Sequence, residues 1–280
     1  PEHPGACHFY IHAVEKLYPE RAVPCAERLA GLMPGAGHIV HMPGHIYIRV
    51  GRYEDAIRAN EHAVHADETY IRDQNPAAGM YTAGYYPHNY DFLAFAAAMI
   101  GREAQAVDAA DRLAALVPAE LLGEMAFLQH YATRPLQLRI RFGRWDEILA
   151  TPAPDPLHRH AGGMWQYARA RALVATGRLA EADAALGALE ARASELDGVR
   201  LEFNEAGHLL RIGARVLAAE LAAARGDVDR AVRAFEEAVA LEDDLLYGEP
   251  PEWTVPVRQE FGRMLLDAGR AARAAEVFEA

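Results

Sequence analysis

Histidine is unevenly spread over the chain: of 13 in all, nine precede Asn89. Three fall in His3-Pro4-Gly5-Ala6-Cys7-His8-Phe9-Tyr10-Ile11-His12 and three in His38-Ile39-Val40-His41-Met42-Pro43-Gly44-His45, while His88 follows Tyr85-Tyr86-Pro87. His8/His12 and His41/His45 both read His-x-x-x-His. On a helix, side chains four positions apart stand about 5–6 Å from each other at Cβ, so two imidazoles can converge on one ion. Glu15 adds a carboxylate to the His8–His12 face. Imidazole nitrogens with a carboxylate suit zinc, copper, nickel or iron. The same imidazoles are acids or bases near neutral pH. The candidate ligands are therefore His8, His12, His38, His41, His45 and His88, supported by Glu15.

What must position these residues is legible in a recurring turn. Gly followed five residues later by a small or apolar residue occurs at Gly51–Ala56, Gly101–Ala106, Gly143–Ile148, Gly177–Ala182, Gly226–Ala231 and Gly269–Ala274. Each Gly closes an apolar helical run and each is followed by an amphipathic one. Glycine tolerates the left-handed backbone that ends a helix, and the small residue lets the returning helix pack closely. The pattern predicts helical hairpins over 4–17/20–32, 37–50/53–71, 87–100/103–116, 121–142/145–149, 164–176/179–196 and 201–225/228–246. A last pair starts near Pro256 and Ala271. Residues 73–86 read as a loop. Met42-Pro43-Gly44 predicts a kink or restart between His41 and His45, because proline removes a backbone hydrogen bond.

These turns resemble those of the tetratricopeptide repeat family, in which a first helix ends in such a glycine and a second follows. The His3–Ala6, His41–His45 and Glu249–Trp253 segments are similar to parts of bacterial tetratricopeptide proteins of unassigned function. The resemblance implies an all-α, right-handed superhelical solenoid of antiparallel helical hairpins over 1–280. Only Gly143 to Gly177 has the family's usual spacing, so the repeats are irregular. It also implies that the chain lacks a native N-terminal portion. First helices of such hairpins line a concave groove, where equivalent positions become neighbours. His38, His88 and His130 stand at one interval ahead of Arg52, Arg102 and Arg144. In that register, Tyr10, Tyr86, Asp91 and His130 are expected to line a cofactor or ligand site. His62, His65, His158, His160 and His208 are expected to be surface residues.

Composition narrows the function. A net charge of −12 argues against nucleic acid, which needs clustered cations. Lys16 is the sole lysine, so no phosphate-loop lysine is present. No apolar run is long enough for a membrane span, and a cytoplasmic location is the slightly favoured expectation. Cys7 and Cys25 read as small buried residues rather than a disulfide framework. The His-Glu-x-x-His, Gly-x-Ser-x-Gly and Gly-x-Gly-x-x-Gly motifs are absent from the sequence. The leading expectation is a histidine-rich groove binding a transition metal or small polar ligand. The alternatives are a peptide-binding scaffold without metal and a metal-dependent enzyme of unknown reaction.

Overall fold

The structure, a computed structural model, describes residues 2–280 and is all-helical. It forms two compact units, one ending at Leu121 and the other running from Leu122 to Ala280. The first contains α1 (Pro4–Val14), α2 (Val23–Leu32), α3 (Gly37–His41), α4 (Pro43–Arg49), α5 (Tyr53–Gln74), α6 (Tyr86–Met99) and α7 (Glu103–Ala115). The second contains α8 (Leu128–Arg141), α9 (Trp145–Ala150), α10 (Arg159–Ala175), α11 (Leu179–Glu195), α12 (Ala206–Ala224), α13 (Val228–Asp243), α14 (Val257–Asp267) and α15 (Ala271–Glu279). Helices pack chiefly on their neighbours in sequence: α5 on α6 on α7, and α10 through α13 in succession. No helix among the described residues is long and apolar enough to cross a membrane.

All six predicted turn glycines adopt positive φ, between 68° at Gly143 and 80° at Gly226. After each, the next residue's N–H reaches back to the carbonyl five positions earlier, as in Arg52 to Tyr47 at 2.8 Å and Arg178 to Leu173 at 2.8 Å. This double-wrapped helix end satisfies carbonyls that would otherwise be orphaned. The small residues behind the turns, Ala56, Ala106, Ala182, Ala231 and Ala274, are fully buried, as is Ile148. That burial is what allows each returning helix its close approach.

The second unit holds a continuous apolar core along α10, α12 and α13, with Phe235 of α13 stacked on Phe261 of α14 at 5.3 Å. Burying one such aromatic or aliphatic side chain stabilises by about 1.5–3 kcal/mol. In the first unit, Cys7 of α1 and Cys25 of α2 are buried and not joined in a disulfide. Burial and the neighbouring Cys7 push the Cys25 thiol up.

Three expectations need correction. The stretch Leu201–Asn204 is not helical: the Leu201 N–H bonds to the Asn204 carbonyl, and α12 starts only at Ala206. The chain over 73–86 is only partly loop. Helix α5 continues to Gln74, Asn75 ends it in the left-handed region at φ 43°, and Tyr81–Tyr85 form a π-helical turn leading into α6. Finally, α10 begins at Arg159, well before Met164. The buried Gln129 side chain accepts from the N–H groups of His160 and Ala161, both at 3.2 Å, and so satisfies the donors of this earlier first turn.

Candidate metal centre

Helix α1 starts with His3, whose ring accepts from the Ala6 N–H, followed by Pro4 in the first turn, where proline is tolerated. From that start, His8, His12 and Glu15 share one face. The expected break falls at Met42, which ends α3 and opens α4. It separates His38 and His41 on α3 from His45 on α4 but does not splay them. Two glycines bring these short helices against α5. A Cβ at Gly37 would overlap the carboxylate of Asp67, and one at Gly44 would stand 2.8 Å from Asn60 Nδ2. His88 comes from the first turn of α6.

His41, His45 and His88 place one ligand atom each within 4.8 Å of one another. The His41 and His45 Nε2 atoms are 2.9 Å apart. The His41 proton is assigned by the opposite edge of its ring. Asn60 Nδ2 donates to the Ala56 carbonyl at 2.8 Å, which leaves Oδ1 to accept from His41 Nδ1 at 2.7 Å. His45 Nδ1 lies 2.9 Å from Glu15 Oε2, an ion-pair distance without hydrogen-bond alignment. The two Nε2 atoms face each other inside the protein, at a distance met by one ring's N–H donating to the other or by a cation held between them; His41 is fully buried and His45 is 5% exposed. Ligands about 2.0–2.1 Å from one ion stand about 2.9 Å apart at a right angle and about 3.3 Å apart at the tetrahedral angle. The Phe92 ring forms the floor, with centroids 4.6 Å from His41, 4.6 Å from His45 and 4.9 Å from His88.

A second set, His8, His12 and His38, meets the same distance condition nearer the surface. His8 Nε2 is 3.2 Å from His38 Nε2, and His12 Nδ1 is 3.2 Å from Glu15 Oε1. Tyr85 lies against the His38 ring at 4.9 Å. A third set, His12, Glu15 and His45, reuses members of the first two.

Electrostatics keep several of these rings neutral. Burial, followed by the neighbouring His45 and His88, holds His41 well below its ordinary value. Burial and then His8 bring His38 down to about 4. His8 is lowered too, again chiefly by burial. Neutral imidazole is the ligating form, so these rings are ready for a cation at neutral pH. The sign for the metal-free protein follows from linkage. Between about pH 6.5 and 4 the unfolded chain takes up a proton at residue 38 and the folded chain does not, so stability falls as pH falls. Allowing for partial exposure, His38 contributes roughly 2 kcal/mol of this loss. Urea unfolding at pH 7 and pH 4.5 is expected to show a smaller drop for His38→Asn than for the unaltered protein. Equal drops would contradict the assignment.

The remaining candidates lie elsewhere. Tyr10 is 40% exposed and makes no ring contact among the described residues. Tyr86 donates to Glu68 Oε1 at 3.2 Å and packs on Tyr90 at 5.6 Å. Asp91 is buried on α6 but belongs to none of the three ligand sets. His130 belongs to the second unit, where Nε2 is 3.1 Å from Glu252 Oε1 and the ring lies 5.3 Å from His160. His160 is thus a buried ring rather than a surface one, a consequence of the early start of α10. His62 and His65 are exposed as expected, and His208 bonds the Leu241 carbonyl at 2.7 Å. No protein-family profile matches the chain, and no curated protein matches it.

Asn60 and Phe92 are the functional neighbours that sequence spacing does not reveal. A signal for Asn60 exists: Ala56, Asn60, Ala63 and Asp67 form one buried stripe of α5, in which an amide is out of place unless it has a partner.

Proposed function

We propose that residues 2–121 form a transition-metal-binding module of tetratricopeptide-like helical hairpins. His41, His45 and His88 are the ligands of its buried site. The observation carrying this reading is the 2.9 Å approach of the His41 and His45 Nε2 atoms, with His41 Nδ1 bonded to Asn60 and His45 Nδ1 at 2.9 Å from the Glu15 carboxylate. An outer shell that fixes the tautomer and aims the free nitrogen inward is what holds imidazole ligands on a metal. Nitrogen ligands of this kind suit zinc, copper, nickel or iron(II), with copper favoured by intrinsic affinity among the divalent ions. Gly51 and Gly101 support the hairpin reading of this module, since both have the same helix-ending geometry.

The test is a zinc titration of untagged protein after chelator treatment. Zinc is expected to stay with the protein through gel filtration and to raise its unfolding temperature, as any ligand of the native state does. Absence of uptake, with an unchanged unfolding temperature, would overturn the reading. Capture of a peptide by the metal-stripped protein, at the same affinity with and without zinc, would favour the scaffold alternative instead.

A further inference from the structure

Six histidines of the first unit form one unbroken run of ring contacts. His8 meets His12 and His38, each at 5.0 Å; His12 meets His45 at 5.0 Å; His38 meets His41 at 5.9 Å; and His41 meets both His45 and His88, at 4.7 and 4.9 Å. Of the three ligand sets, two share no member and together take in all six rings, His8/His12/His38 and His41/His45/His88. One carboxylate stands between them. Glu15 Oε1 is 3.2 Å from His12 Nδ1, and Glu15 Oε2 is 2.9 Å from His45 Nδ1.

We infer that this is a two-metal centre, with one ion on each histidine triad and Glu15 as the positioning residue shared by both. The inference rests on the metal-binding reading above. A single carboxylate that is hydrogen-bonded to His12 Nδ1 and lies 2.9 Å from His45 Nδ1 stands against one ring of each triad and leaves Nε2 of both rings for their own ions. It also supplies negative charge between two cationic sites whose ligands are neutral. The 3.2 Å spacing of the His8 and His38 Nε2 atoms fits ligands of one ion between the right-angle and tetrahedral limits, as the 2.9 Å spacing does in the inner triad. His38 Nδ1, by contrast, is buried without a hydrogen-bond partner. The outer triad is thus less completely prearranged and is the weaker site. Its position near the surface, with His12 exposed, leaves that ion open to an exogenous ligand. The inner triad, floored by Phe92, is closed around its ion.

The experiment uses the untagged, chelator-treated chain, with copper(II) alone as probe and three variants. Two equivalents are expected in the unaltered protein. One is expected in His8→Ala/His38→Ala, and one in His41→Ala/His45→Ala. Glu15→Gln keeps the side-chain shape but loses the charge and one acceptor, and should weaken both sites by about 10–100-fold, the usual effect of an outer-shell partner. Copper(II) paramagnetic resonance adds a readout that a merely structural role would not move. The fully loaded protein should show spin-coupled signals that are absent from each single-triad variant. A single equivalent, unchanged in His8→Ala/His38→Ala, would overturn the two-metal inference and leave the one-ion reading standing. No bound copper at all would overturn both. Two equivalents with a spectrum equal to the sum of the two single-triad spectra would remove the shared, adjacent centre.

Discussion

His41→Ala is expected to weaken binding at the inner site by at least a hundredfold without unfolding the first unit. The reasoning starts from scale. A structural zinc site of four ligands is worth about 10–16 kcal/mol, or roughly 3 kcal/mol per ligand, and about 1.4 kcal/mol corresponds to tenfold in affinity. Removing His41 also releases the Asn60 acceptor and opens the space beside Phe92. Asn60→Ala separates these contributions. It leaves every ligand in place but removes the acceptor that fixes the His41 tautomer, so its effect should fall in the milder range of about 10–100-fold. Competition with a chromophoric chelator reads both values. Equal effects of the two substitutions, or none from either, would mean that the His41 nitrogen is not a ligand.

In the second unit the largest expected effect is on stability. Arg171→Ala should lower the unfolding free energy by about 3–5 kcal/mol. Arg171 is 3% exposed and its guanidinium bridges two carboxylates. Nε donates to Glu220 Oε2 at 2.9 Å, Nη2 pairs with the other oxygen of the same carboxylate, and Nη1 lies 2.6 Å from Glu260 Oε1. Nη1 also donates to the Tyr167 hydroxyl at 3.1 Å. Burial pushes the Glu260 carboxyl up, and Arg171 is the group opposing that rise. Removing the cation strips Glu260 of its principal countercharge, leaving only the weaker influence of Arg263, hence the size of the loss. The pair need not be worth much in itself, because desolvating both charges offsets most of their attraction. Arg171→Met combined with Glu260→Leu is accordingly expected to recover most of the stability. Urea unfolding checks this; a loss below about 1 kcal/mol for Arg171→Ala would contradict it.

Much of this architecture was open to reading from residue types alone, and the reasons are local. A glycine that must take positive φ marks a helix end whatever surrounds it, so all six hairpin turns were legible. His-x-x-x-His places two rings on one helical face by geometry alone, and the His41–His45 pair held even across the break at Met42. What spacing cannot carry is a partner supplied from another helix. Asn60 and Phe92 reach the site from α5 and α6, and spacing does not show that the two Glu15 oxygens stand beside the Nδ1 atoms of His12 and His45. His130 shares the register of His38 and His88, and its described contacts are with Glu252 and His160 of the second unit.

X-ray absorption at the zinc edge, on protein loaded with a single equivalent, tests the convergence of the histidine nitrogens most directly. The expected spectrum has light-atom scatterers at about 2.0–2.1 Å and the outer-shell features of at least two imidazole rings, both lost in His41→Ala/His45→Ala. A first shell of oxygen alone, or a spectrum the double substitution leaves unchanged, would contradict the account.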